Sequence, residues 1–255
     1  MTPRLIGMVH LGALPGSPAF DGDLNGVIER GRRDAETLAH AGFDAVMVEN
    51  FGDAPFFADT VPPVTIAAMT AAAAAIANAV DVPIGINVLR NDALAALAVA
   101  AAVGAGFIRV NVLSGTMFTD QGPIVGRAAA VAWARSTLSP NTRVFGDVFV
   151  KHATPPPGAS LRLAAVDLWE RGGADALIVS GAGTGEPVDA ETLSEVTAAV
   201  PGAPVLVGSG VTEQTVGSLL ARANGVIVGT AIKVGGVTTA PVDATLARQF
   251  VAAAG

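Results

Sequence analysis

The chain has no cysteine. That absence excludes disulfides, thiolate nucleophiles, thiolate-bound zinc and iron–sulfur clusters, and it leaves the redox compartment unreadable from this residue. Charge is scarce too. Only 15% of the 255 residues are Asp, Glu, Lys or Arg, against 51% apolar residues, so there is material for a large core and little for a disordered tail. A basic surplus is missing: the formal charge is −7 and the isoelectric point is near 4.9. General nucleic-acid binders neutralise phosphates with a basic face, so that class is not expected here, although local positive charge can still hold a small anion. Long apolar runs are absent despite a mean hydropathy of +0.54. The longest, residues 93–103, falls short of the roughly 20 residues that cross a bilayer, so no transmembrane segment is expected. Met1-Thr2-Pro3-Arg4 leads straight into an apolar strand without a hydrophobic leader or cleavage site, from which a cytoplasmic protein is expected.

What is present is an alternation of short β-like runs with longer Ala/Leu-rich helical segments. The strands are predicted at 5–10, 45–49, 83–88, 107–113, 143–150, 176–180, 204–207 and 226–228, and the helices at 27–41, 67–80, 92–103, 124–136, 160–171, 190–199 and 213–223. One helix-to-strand junction recurs in Ala41-Gly42-Phe43-Asp44, Ala105-Gly106-Phe107-Ile108, Gly173-Ala174-Asp175-Ala176 and Ala223-Asn224-Gly225-Val226, ahead of every second strand. A repeat of paired βα units close to 255 residues long predicts a single α/β domain, a (β/α)₈ TIM barrel. An open doubly wound sheet is the competing fold. Two Pro/Gly-rich loops, 11–22 and 154–158, follow strand ends and suit lids or partner contacts.

Barrel enzymes carry their sites on the loops at the carboxyl ends of the strands, and the last two strands often grip a phosphate. Here those strands end in Gly208-Ser209-Gly210-Val211-Thr212 and Gly229-Thr230-Ala231-Ile232-Lys233. Glycine lets the backbone approach an anion, and Ser209 and Thr230 add hydroxyl donors. Ordinary tight turns would carry the same glycines; it is the pairing on the last two strands that favours a phosphate at Gly208, Ser209, Gly210, Gly229 and Thr230. Ser180-Gly181-Ala182-Gly183-Thr184-Gly185 has the wrong spacing for a dinucleotide fingerprint and reads as a flexible loop over the substrate, with Thr184 a substrate contact.

Polar residues gather at the same end. Arg109 and Asn111 share one face of the fourth predicted strand, and Asp147, Phe149 and Lys151 share one face of the fifth. His10 ends the first strand, Glu49-Asn50 the second, and Asn87 precedes Arg90-Asn91-Asp92 on the third. Glu49, Asp147, Lys151 and His10 are the candidate catalytic groups, with Asn87, Arg109, Asn111 and Asp120 as substrate contacts. Arg109 paired with Glu49 or Asp147 as a structural bridge on the barrel floor is the plain alternative. Lys151 suits an anion, a Schiff base or solvent. Asp120-Gln121-Gly122 reads as a turn and helix N-cap or as a sugar-hydroxyl contact. No cofactor is called for. His10 or His152 with Glu49 and Asp147 would be the ligands of a divalent metal, yet no H-x-H or H-E-x-x-H spacing occurs.

Several segments together resemble the BtpA family, which takes its name from a photosystem I biogenesis protein and includes SgcQ-like proteins. They are Val9-His10-Leu11 with Leu14-Pro15-Gly16-Ser17-Pro18, Glu49-Asn50-Phe51-Gly52-Asp53-Ala54-Pro55-Phe56, Gly85-Ile86-Asn87-Val88-Leu89-Arg90-Asn91-Asp92, Phe107-Ile108-Arg109-Val110-Asn111, Thr119-Asp120-Gln121-Gly122, Val150-Lys151-His152-Ala153 and Gly208-Ser209-Gly210-Val211-Thr212. The resemblance implies a ribulose-phosphate-binding type of barrel and supplies no reaction. Before Lys151 this chain has Phe145-Gly146-Asp147-Val148-Phe149, where the family tends to be more polar.

The leading expectation is an enzyme acting on a phosphorylated sugar or nucleotide-like metabolite by lyase, isomerase or glycosidic-bond chemistry. A non-catalytic assembly factor that uses the barrel as a scaffold and a metal-dependent hydrolase are the alternatives. Ala-rich helix faces and barrel size make a homo-oligomer plausible.

Overall fold

The computed structural model describes residues 2–181 and 183–255. In chain order the strands are β1 (Leu5–His10), β2 (Ala45–Glu49), β3 (Ile84–Asn87), β4 (Phe107–Val110), β5 (Thr116–Thr119), β6 (Gly122–Val125), β7 (Arg143–Val148), β8 (Ala153–Thr154), β9 (Ala176–Val179), β10 (Val205–Val207) and β11 (Gly225–Val228). The α-helices are α1 (Leu24–Ala41), α2 (Pro63–Ala77), α3 (Ala93–Val103), α4 (Ala128–Leu138), α5 (Leu161–Val166), α6 (Ala190–Ala199), α7 (Val216–Leu220) and α8 (Ala244–Ala254). Eight parallel strands close into a barrel in the order β1-β2-β3-β4-β7-β9-β10-β11, with β11 returning to β1. The ring predicted from the repeat is therefore the fold, and the open sheet is not.

Crossover helices start where short polar side chains take up backbone N–H groups that the first turn leaves free. Asp23 Oδ1 accepts from Gly26 N at 2.8 Å and Asp92 Oδ1 from Ala95 N at 2.9 Å. α5 continues into a π-helical turn over Asp167–Arg171, which together fill the predicted 160–171 segment.

The apolar residues divide into two layers, one between sheet and helices and one inside the barrel. Strand alternation sends Ile6 and Met8, Met47, Phe107, Phe145, Ile178, Leu206 and Ile227 inward, with Phe107 and Phe145 stacked at 4.8 Å. Two residues further on, the same parity points His10, Glu49, Arg109 and Asp147 inward. The barrel interior thus changes from apolar to charged at its carboxyl end, which fixes where chemistry can occur.

The structure corrects several predicted boundaries. Helix 124–136 begins only at Ala128, because residues 116–125 fold into the β5–β6 hairpin, with β8 beside β5. Met117 and Ile124, on one face of that hairpin, are buried with Val112 and Val150, and this burial outweighs the helical character of the segment. Asp120 therefore sits in a hairpin turn and is not a helix N-cap. Strand 107–113 ends at Val110, and strand 143–150 at Val148, where Phe149 (φ 53°) and His152 (φ 56°) enter the left-handed region. Helix 213–223 shortens to α7, and α8 was not anticipated; it packs Phe250 on Phe43 at 5.9 Å. Among the described residues no helix is long and apolar enough to cross a membrane.

Candidate functional site

The charged layer is built from neighbouring strands. Arg109, on β4, donates from Nε to Asp147 Oδ2 at 2.8 Å and from Nη2 to Oδ1 at 2.7 Å across to β7. Both side chains are buried, and the forked geometry is that of a strong pair. Asn111 Nδ2 and Ser180 Oγ reach the same carboxylate at 3.5 and 3.3 Å. Gly208 makes this arrangement fit, since a Cβ there would lie 2.8 Å from Ser180 Oγ and 2.4 Å from Ile178. The pair lies in the charged layer at the carboxyl ends, not on the barrel floor.

Beyond β7 the chain bends through Phe149, whose ring packs with the Val112 and Val150 cluster while Lys151 lines the mouth, so these two do not share a face as strict alternation predicts. Left-handed backbone at a non-glycine costs about 1–3 kcal/mol and persists only when the surroundings hold it. Here Arg90 Nη2 donates to the Lys151 carbonyl at 2.6 Å. The segment holds Lys151, half-buried, in the wall of the mouth.

His10 Nδ1 lies 3.2 Å from the Thr238 carbonyl, and a carbonyl only accepts, so Nδ1 carries the proton and Nε2 is left bare toward Glu49 Oε1 at 3.7 Å. Burial, followed by the charges of Lys233 and Lys151, pushes the His10 pKa down to about 3. Burial raises the Glu49 pKa, with Lys151, Arg109 and Arg90 opposing it. Lys151 moves the other way: burial, then Arg109, holds its pKa below the usual lysine value. An acid with a raised pKa and an amine with a lowered one in the same cavity suit proton transfer.

A cavity of about 170 Å³ opens at this end of the barrel. Glu49, His10, Arg109 and Lys151 line one part of it, and Gly208–Gly210, Gly229–Ala231 and Thr184 line the rest. Gly210 needs its left-handed φ of 66° and comes so close to the Glu186 carbonyl that a Cβ would lie 2.1 Å from it. After β11 a short 3₁₀ turn makes its first backbone bonds from Ile232 N to Gly229 O and from Lys233 N to Thr230 O. Thr230 and Ala231, whose N–H groups precede those donors in the turn, line the cavity.

A model described as the BtpA family matches residues 1–255. The chain belongs to the BtpA family. This BtpA-family chain is 46% identical over 249 residues to the photosystem I biogenesis protein BtpA of Synechocystis, covering 98% of the chain and 87% of that protein. It is 49% identical to an uncharacterized protein of Thermococcus kodakarensis, covering 97% and 93%, and 30% identical to an uncharacterized mitochondrial protein of Caenorhabditis elegans, covering 97% and 91%. Among solved structures, thiamine phosphate pyrophosphorylase from Pyrococcus furiosus superposes with a TM-score of 0.59 at 12% identity over 98% of this chain and 95% of that one. Phosphoribosyl anthranilate isomerase from Thermus thermophilus gives 0.58 at 15%, over 98% and 97%. Those two show the barrel fold.

In the BtpA-family site the cavity brings together His10, Glu49, Arg109, Lys151, Thr184, Gly208, Ser209, Gly210, Gly229 and Thr230. Asn87, Asn111, Asp120 and Asp147 do not line it. Asn87 is buried between β3 and β4, donating to Arg109 O and Asn111 Oδ1 at 3.2 Å each. Asn111 and Asp147 line a second cavity, of about 230 Å³, beside α5. Asp120 is exposed on the hairpin tip, and Ala182 lies outside the described residues. The Ser209 hydroxyl is already engaged, accepting from Gly181 N at 2.9 Å and donating to Glu186 O at 3.4 Å. Lys233 turns away from the mouth to pair with Asp34 at 2.8 Å, both fully buried side chains. Sequence reasoning missed that pair, although Asp34 interrupts the buried stripe Gly31, Ala35 and Leu38 of α1. It also missed Thr238, the His10 partner. Among the described residues no three His, Asp or Glu side chains converge as metal ligands.

Proposed function

We propose that this BtpA-family protein is an enzyme acting on a phosphorylated small molecule, of the sugar or nucleotide-like kind, by lyase, isomerase or glycosidic-bond chemistry. One observation carries the reading: a single cavity is edged by the turns after the last two barrel strands and walled by Glu49, His10 and Lys151. The phosphate would rest against the N–H groups of Gly210, Thr230 and Ala231, with Arg109 supplying charge. The reacting end would then face Glu49 and Lys151, whose pKa values are displaced toward each other. The fold neighbours support the phosphate, since several are named for phosphate-bearing compounds, orotidine 5′-monophosphate decarboxylase of Methanocaldococcus jannaschii among them.

A thermal-shift screen of sugar phosphates, nucleotides and their unphosphorylated counterparts tests this. A ligand at about 100 times its Kd stabilises by about 2.7 kcal/mol. The expected result is a rise in Tm with phosphorylated compounds only, lost in Thr230→Asp, which sets a carboxylate at the proposed cradle. Equal shifts with and without phosphate, or none, would overturn the reading.

A second reading, an assembly factor, is favoured by the name of the Synechocystis relative and by Trp133, a large apolar side chain 80% exposed on α4. A scaffold should keep its partner in Lys151→Arg and lose it in Trp133→Ser.

A further inference from the structure

The chain contains only two lysines, Lys151 and Lys233, among 15 Lys and Arg residues. Their environments are opposite. Lys233 is wholly buried against Asp34, whereas Lys151 lines the mouth cavity. Arg109 in that cavity is bonded to Asp147, and Arg90 beside it is bonded to the Lys151 carbonyl. Among the described residues the Lys151 ammonium group has neither a hydrogen bond nor an ion pair. A cation needed only for charge is well served by arginine, which binds phosphate in a fork. An unengaged lysine held in a cavity wall by left-handed backbone on either side offers what arginine lacks, an amine able to form a carbon–nitrogen bond.

We propose that Lys151 forms a Schiff base with the aldehyde or ketone carbon of a phosphorylated substrate. The inference rests on the phosphate-ligand reading above and narrows it to carbonyl compounds. The Lys151 nitrogen adds its lone pair to the carbonyl carbon as the carbonyl oxygen takes a proton from Glu49. The surplus proton on nitrogen returns to the Glu49 carboxylate, which passes it to the new hydroxyl. That group leaves as water while the nitrogen lone pair closes the C=N bond, so an iminium is left facing a carboxylate. Burial favours both starting forms, holding the proton on Glu49 more tightly and on Lys151 less tightly than in water.

The full chain is incubated with pyridoxal 5′-phosphate, a phosphorylated aldehyde used as a probe, reduced with borohydride and mapped by peptide mass spectrometry. Pyridoxal serves as the unphosphorylated control. Apart from the α-amino group, only Lys151 and Lys233 can react, so the map is unambiguous. The expected result is a reduced adduct at Lys151, formed about tenfold or more slowly with pyridoxal and suppressed by excess inorganic phosphate or ribulose 5-phosphate. Lys151→Arg should lose the adduct while keeping the rise in Tm with phosphorylated ligands. No adduct at Lys151 while phosphorylated compounds still raise Tm would overturn the Schiff base alone. Equal labelling by both aldehydes, with no phosphate-dependent rise in Tm, would overturn the underlying phosphate reading as well.

Discussion

His10, at the carboxyl end of β1, shows how one buried side chain links folding to pH. Its pKa is held at about 3 against an ordinary 6.5. Between those values the unfolded chain binds a proton that the folded chain refuses. The stabilisation is therefore complete above about pH 6.5 and is lost as pH falls toward 3, at up to about 1.4 kcal/mol per unit. His152, lowered by burial and by Lys151, has the same sign. Glu49, raised, acts oppositely: its contribution is present below its ordinary 4.5 and lost as pH rises through its folded value. Urea unfolding should show the midpoint falling from pH 7 to pH 4, and falling less in His10→Gln; equal slopes would contradict the assignment. At this scale the sequence was partly legible. Alternation put His10, Glu49, Arg109 and Asp147 on inward faces, and the end of the barrel followed. Engagement was hidden, because neither the Asp147 fork, the Ser209 bridge nor the Lys233–Asp34 pair follows from spacing along one strand. All depend on which segment the closed ring brings alongside.

The elements differ in how strongly local sequence specifies them. α3 begins at Asp92, which caps Ala95 N at 2.9 Å and also accepts from Val61 N at 2.9 Å, so one carboxylate starts the helix and pins the loop before α2. Asp92→Ala should cost about 2–3 kcal/mol, the sum of a lost cap and a buried N–H left unpaired, read as a lower urea midpoint with an unchanged slope. A loss under about 0.5 kcal/mol would show that solvent replaces the carboxylate. Helix starts of this kind are written in short polar residues and were readable. The β5–β6 hairpin was not, because Ile124 to Ser136 carries enough alanine to read as one helix. What decides it is the burial of Met117 and Ile124 against Val112 and Val150, a contact between distant segments. The left-handed bend that carries Lys151 was nearly as silent, since Phe149 has no preference for such backbone and the enrichment of histidine there is too weak to mark His152.

For the whole molecule, the recurring helix-to-strand junction was enough to count eight βα units, and the parallel ring bears that count out. Closure of the ring puts β11 beside β1, so the turn after β11 meets His10 and the two ends of the chain build one site. Family membership across 255 residues and relatives at 46% and 49% identity extend the resemblance seen in the short motifs to the full length of the barrel. They leave the chemistry to be read from the mouth. The most direct measurement is hydrogen–deuterium exchange with and without the phosphorylated compound that raises Tm most. Protection should concentrate in residues 208–212 and 229–233, at the cradle, with a smaller effect around Thr184. A rise in Tm without protection in those two segments would contradict a phosphate site at the end of the barrel.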